Sequence, residues 1–119
     1  MTIVNNESIK ISEVSISARR WFQKSYGNTY FSLEVAVIFD GKRQYENIIE
    51  IPFEYGYGDT FNCVALEKFI ELFPILDPGK HSNGLRKFCY LSSLLESVGI
   101  PCVVNVRDVK RKKDLHKFN

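Results

Sequence analysis

The residue types with the widest chemical reach gather in one run, Arg19-Arg20-Trp21-Phe22-Gln23-Lys24-Ser25-Tyr26-Gly27-Asn28-Thr29-Tyr30. It holds the sequence's one Trp, two Tyr and three cations. Flat rings beside guanidinium and ammonium groups are what single-stranded nucleic acid binders use, because bases stack on the rings and cations meet phosphates. Trp, Tyr and Arg are also the side chains that most often dominate protein–protein contacts. A purely structural role stands beside both: Trp21 or Phe22 capping the core, with Arg19 and Arg20 stacked on the rings. A second run, Phe53-Glu54-Tyr55-Gly56-Tyr57-Gly58-Asp59-Thr60, alternates Tyr and Gly just ahead of an apolar periodic stretch. It offers Tyr55 and Tyr57 as stacking faces on a sterically permissive loop, and its simpler reading is a connector between a strand and a helix. Glycines at a helix start can cradle an anion, but Asp59 at that point opposes a phosphate.

Residues 107–119 carry six basic groups against two acidic ones, a local charge of +4 that leaves −2 on the first 106 residues. Lys110, Arg111, Lys112 and Lys113 form its centre. The segment reads either as a flexible basic arm or as an extension of the last strand. Were about four of its cations to meet phosphates, log K would fall with log salt at a slope near −3 to −4.

Catalytic constellations are thin. His81 and His116 fall in an expected loop and tail, and neither has a nucleophile at a useful spacing. No phosphate loop, nucleophile elbow, paired zinc-binding histidines or calcium loop occurs. Glu46, Glu50 and Glu54 recur evenly, as the wet side of a strand does, and nothing in the sequence drives two of their pKa values apart. Cys63, Cys89 and Cys102 are far apart, lack metal-ligand spacing and have apolar neighbours, so they read as reduced, buried thiols. No catalytic residue, metal or cofactor is expected.

Elements must position these groups, and the chain supplies strands before helices. Val14, Ile16, Ala18 and Phe22 alternate on one face of a first strand. Phe31, Leu33, Val35, Val37 and Phe39 alternate without a break on a second. Asp40-Gly41 comes directly after it and predicts a tight hairpin, since both residues tolerate positive φ. A third strand is expected over 43–55, with Tyr45, Asn47, Ile49, Ile51 and Phe53 on one face and Pro52 marking an edge or a bulge. The period then changes to helical, from a cap at Asp59 or Thr60 to about Phe73, where Pro74 stops it. A loop over 74–84 leads to a second helix capped at Ser82 or Asn83, striped by Leu85, Phe88, Leu91, Leu95 and Val98, and closed by Gly99. Ile100–Val106 reads as a fourth strand. The order β-β-β-α-α-β predicts a single α+β domain: an antiparallel sheet with two helices on one face, preceded by a polar arm over residues 1–8.

At 119 residues, 45% hydrophobic and 25% charged, with a net charge of +2, the composition is that of one soluble globular domain. No apolar run approaches the roughly 20 residues that cross a bilayer, and the start lacks the pattern of a secretion signal. A cytoplasmic protein without membrane contact is expected, and its oligomeric state is left open.

The combination Ala18-Arg19-Arg20-Trp21-Phe22, Lys24-Ser25-Tyr26-Gly27-Asn28-Thr29-Tyr30, Tyr55-Gly56-Tyr57-Gly58-Asp59 and Asp108-Val109-Lys110-Arg111-Lys112-Lys113-Asp114-Leu115 resembles small accessory proteins encoded by bacteriophages and prophages. That resemblance implies a non-enzymatic protein in the host cytoplasm that binds a host protein or nucleoprotein complex stoichiometrically, with interference in a host defence system as one such role. The binding residues would be Arg19, Arg20, Trp21, Lys24, Tyr26, Tyr30, Tyr55, Tyr57, Lys110, Arg111, Lys112 and Lys113. Direct binding of single-stranded nucleic acid through the same groups is the alternative.

Overall fold

The computed structural model describes residues 11–79 and 87–116. The arm expected over 1–8, the cap at Ser82 or Asn83 and His81 lie outside them. Three strands come first, β1 (Ile11–Gln23), β2 (Asn28–Phe39) and β3 (Glu46–Tyr55). Helix α1 (Thr60–Leu72), a 3-10 turn over Pro74–Leu76, helix α2 (Leu91–Ser97), strand β4 (Cys102–Val109) and a second 3-10 turn over Lys112–His116 complete the chain. The protein is an α+β fold built on one four-stranded sheet, ordered β3-β2-β1-β4.

The sheet is mixed rather than wholly antiparallel. β1, β2 and β3 pair antiparallel as expected, whereas β4 joins β1 in parallel, with Val14 opposite Cys102 and Trp21 opposite Val109. The cause is the connection. β3 finishes at the end of the sheet where β1 finishes, and the helices return the chain to the end where β1 starts, so β4 must run alongside it.

Alternation along β1 and β2 produces the core. Val14, Ile16, Ala18, Phe31, Leu33, Val35 and Val37 are all buried on one face. Against them lie Phe61, Ala65, Leu66 and Phe69 of α1 and Leu91, Leu94 and Leu95 of α2. Each large side chain so buried contributes about 1.5–3 kcal/mol, which makes this layer the main source of stability. Phe22, expected on the same face, is exposed, because β1 extends beyond the cover of the helices.

Helix α1 starts at Thr60 and ends ahead of Pro74, as its sequence signals require. Asp59 makes no side-chain cap; the Thr60 hydroxyl instead donates to the Tyr57 carbonyl at 2.7 Å. Helix α2 departs from expectation, since Lys87–Tyr90 are not helical and the helix begins at Leu91. Its start is fixed from outside. Buried Asn62 of α1 accepts the Ser92 N–H at 3.2 Å and donates to the Ser92 hydroxyl at 3.0 Å, satisfying an otherwise orphaned donor of the first turn. Its end matches the sequence signal: Gly99 has φ +79°, its N–H reaches the Glu96 carbonyl, and the Ile100 N–H reaches that of Leu95. That is a Schellman closure with Ile100 buried beneath it.

Asp40-Gly41 makes its turn, closed by the Lys42 N–H on the Phe39 carbonyl. It does not close a two-residue hairpin. The chain continues irregularly to Glu46, held by Ser12 donating to Asp40 at 2.9 Å and by the Tyr45 hydroxyl on Glu13. β3 also carries register shifts opposite Phe31–Leu33 and Val35–Ala36, so Pro52 marks both an edge and a bulge. The bulge reverses the facing of the residues beyond it. Ile49 and Ile51 share the helix side with Leu33 and Val35, whereas Phe53 and Tyr55 face the other way, beside Tyr30. The even spacing of Glu46, Glu50 and Glu54 therefore does not give one wet face: Glu50 sits opposite Glu34, and Glu54 opposite buried Phe31.

The basic end is not a free arm. β4 takes in Arg107 and Asp108, and the turn over Lys112–His116 then crosses the sheet's outer face, touching all four strands. Leu115 is fully buried there, and the Ser32 hydroxyl donates to its carbonyl. The thiols differ from expectation as well: Cys63 and Cys102 are half-buried, and Cys89 is exposed in the irregular run ahead of α2. Among the described residues, no helix is long and apolar enough to cross a membrane.

Candidate interaction surface at the aromatic end

Three separate segments meet where β1 ends, β2 begins and β3 runs into α1. On the outer face the bulge at Pro52 turns Phe53 toward Tyr30, and the β1–β2 register places Trp21 on Tyr30's other side. The result is a row. Trp21 and Tyr30 stack with centroids 5.8 Å apart and planes at 28°, and Tyr30 and Phe53 at 4.7 Å and 16°. Lys112 closes the far end, its Nζ 4.9 Å from the Phe53 centroid, and Tyr55 meets Tyr30 edge-on at 5.7 Å. Tyr30 thus has a ring on each face, and Phe53 has a ring on one face and a cation on the other.

At the same end of the sheet, four rings stand in water. Tyr26 is 76% exposed, Tyr57 70%, Tyr55 57% and Phe22 54%. Tyr26 rides the tip of the β1–β2 turn, which Gly27 permits at φ +69° with its N–H on the Gln23 carbonyl. Tyr55 and Tyr57 flank Gly56, where a methyl group would come within 2.7 Å of Thr60 and 2.9 Å of Phe31, so no other residue lets this loop lie so close to the core. Arg20 ties the segments together. Its Nε donates to Asp108 at 2.8 Å and its Nη1 to the Gly58 carbonyl at 3.0 Å. Beneath them, Arg20, Phe22, Thr29, Gly58, Asp108 and Val109 line a cleft of about 290 Å³.

The expected site residues divide on this geometry. Arg20, Trp21, Tyr26, Tyr30, Tyr55, Tyr57 and Lys112 come together at one end of the sheet, and Lys24 is exposed on the same turn as Tyr26. Arg111 is occupied locally, its guanidinium on the Asp114 carboxylate at 3.1 and 3.3 Å. Lys110 and Lys113 are exposed beside it, and Arg19 is half-buried on the same outer face of β1 as Trp21, opposite Ser32. Phe53 joins the cluster although the sequence placed it inward, whereas Phe22 keeps its expected face and is exposed there. The proline in Phe53's strand was the available signal for the first.

A second feature lies further along the outer face. Glu34 and Glu50 are paired across β2 and β3, and with Leu33, Ile51, Pro52 and His116 they line a shallow hollow of about 320 Å³. Partial burial, reinforced by the neighbouring Glu50 charge, raises the Glu34 pKa above its ordinary value of 4.5. Burial alone raises the Cys102 thiol to about 11, which keeps it protonated and unreactive. Among the described residues, no group of three or more His, Cys, Asp or Glu side chains is placed to hold a metal ion. What the aromatic end offers chemically is contact: apolar area, phenolic hydroxyls and a charged cleft. No family model matches the chain, and the searches of curated proteins and of solved structures return no match.

Proposed function

We propose that this protein is a non-enzymatic binding protein that engages a protein partner stoichiometrically through the aromatic end of its sheet. The observation that carries this reading is the gathering of four exposed aromatics, Phe22, Tyr26, Tyr55 and Tyr57, at one end of the sheet, with Phe22 lining the Arg20 cleft. Large, conformationally simple rings around a pocket that admits a partner side chain are the usual core of a protein–protein contact. The resemblance to small phage accessory proteins supports a host protein or nucleoprotein in the cytoplasm as the target, and interference with a host defence system as the purpose.

Single-stranded nucleic acid is the weaker reading. Bases need open ring faces, and in the Trp21–Tyr30–Phe53 row Tyr30 is covered on both faces, Phe53 by Tyr30 and Lys112, and Trp21 on one face by Tyr30. Phosphates need uncommitted cations, and Arg20 and Arg111 already hold carboxylates, which leaves the exposed lysines Lys24, Lys110 and Lys113.

Capture from a host lysate with the full chain tests the proposal. Wild type is expected to retain a partner at a fixed ratio, and Tyr26→Ala with Tyr57→Ala to lose at least tenfold of it while the fold stays intact. Retention unchanged in that double variant and in Arg20→Ala would contradict the reading.

A further inference from the structure

The two edges of the sheet are built differently. The β3 edge carries Pro52, two register shifts and the carboxylates of Glu46, Glu50 and Glu54, all of which obstruct strand addition. The β4 edge has neither a proline nor a register shift, and its one carboxylate, Asp108, lies near its end: its ladder with β1 runs without a bulge from Cys102 to Val109. No proline interrupts it and no charge precedes Arg107, while Val103 and Val104 are 51% and 44% exposed. The Val14 N–H bonds the Pro101 carbonyl, and the parallel register then aims the backbone groups of odd-numbered β4 residues at β1. Those of Cys102, Val104, Val106 and Asp108 face outward. Among the described residues nothing pairs with them.

We infer that β4 is a dimerisation edge, pairing antiparallel with β4 of a second copy about a two-fold axis at Asn105 to give one continuous eight-stranded sheet. The strand is complementary to itself in that arrangement. Side chains of equal parity must face each other for the helices to stay on one side, and centring on Asn105 sets Val104 beside the copy's Val106. On that same face Cys102 lies opposite the copy's Asp108, and on the other face Val103 meets the stem of the copy's Arg107. Each outward N–H and C=O from Cys102 to Asp108 gains a partner. Charge selects the direction: a parallel pairing in register would set Arg107 against Arg107 and Asp108 against Asp108, whereas the antiparallel one places each charged end beside the uncharged start of the other strand. The two-fold axis leaves the aromatic ends at opposite ends of the joined sheet; the edge and the Arg20 cleft share Asp108, but the inference does not depend on the proposed function.

Sedimentation of the full chain is expected to give twice the chain mass for wild type and the single mass for Val104→Lys. Val104→Pro is a second probe: the Val104 N–H points outward, so proline removes no bond within the chain yet blocks pairing. In a Cys89→Ser background, Asn105→Cys is expected to oxidise to a covalent dimer, since facing non-hydrogen-bonded pairs lie within disulfide reach. Val103→Cys, held opposite Arg107, is not. Folded wild type that stays monomeric at millimolar concentration overturns the inference. So does a dimer that survives both Val104 substitutions, or a monomer that uses this edge only for another protein's strand. Should both Val104 variants unfold, the contrast between Asn105→Cys and Val103→Cys decides.

Discussion

The two faces of one sheet are made by opposite means. On the helix side, strict alternation in β1 and β2 delivers apolar side chains to a layer closed by α1 and α2, and local periodicity is enough to produce it. On the outer side, Ser15, Ser17, Ser32 and Glu34 promise a wet surface, yet Ser32 is fully buried and a row of rings crosses the end. That face is organised by two long-range events, the bulge that turns Phe53 outward and the docking of Leu115 from the chain's last turn. The lesson is that the sheet's end holds a structural spine of stacked rings beside a rim of exposed ones, to which the proposed function assigns recognition.

Breaking the helix side should cost most. Phe69→Ala, at the fully buried centre of α1, is expected to destabilise by about 3–5 kcal/mol, read as a lower denaturant midpoint at unchanged slope. Leu115→Ala tests whether the outer face has a core of its own. A loss of about 2–3 kcal/mol is expected, with faster amide exchange at the 3-10 turn, whereas a loss below about 0.5 kcal/mol would reduce the strap to decoration. Tyr30→Leu keeps an apolar side chain but removes two stacks and an edge contact, and should cost about 1–2 kcal/mol; a double-mutant cycle with Phe53→Leu isolates the Tyr30–Phe53 stack.

The rim should behave differently. Tyr26→Ala and Tyr57→Ala are expected to change stability by less than about 0.5 kcal/mol while removing capture of the partner. The smallest effect belongs to Glu34. Its folded-state pKa lies above the unfolded one, so the native state binds the extra proton, and stability falls as pH rises from about 4.5 through the raised value. Glu34→Gln should flatten that part of the pH–stability curve and leave the protein slightly more stable at neutral pH.

Much of the fold was legible in the residues. Alternation from Val14 to Ala18 and from Phe31 to Val37 located the core face, and Thr60, Pro74 and Gly99 punctuated the helices because capping and ring closure are local. The tertiary devices were not. α2 begins where Asn62 reaches Ser92, a contact across 30 residues that no local pattern encodes. The Asp40-Gly41 turn formed, but Tyr45 and Ser12 hold the chain in a longer loop than the dipeptide alone predicts. Pro52 signalled a bulge without saying that it would carry Phe53 to the other face. The basic segment read as an arm or a strand extension, and it is part strand and part strap because Leu115 finds a buried seat. At the aromatic end, the sequence supplied most of the residues, and only the register showed which rings cover each other.

Trp21 is the sequence's one indole, so its fluorescence reports on the row without labelling. The direct measurement is a titration of wild type with a single-stranded oligonucleotide at low salt, tracking Trp21 emission, with Tyr26→Ala/Tyr57→Ala in parallel. Rings already stacked on one another predict no saturable quenching in either protein. Saturable quenching that weakens steeply with added salt would mean that bases reach the indole, and would contradict the division of the sheet's end into spine and rim.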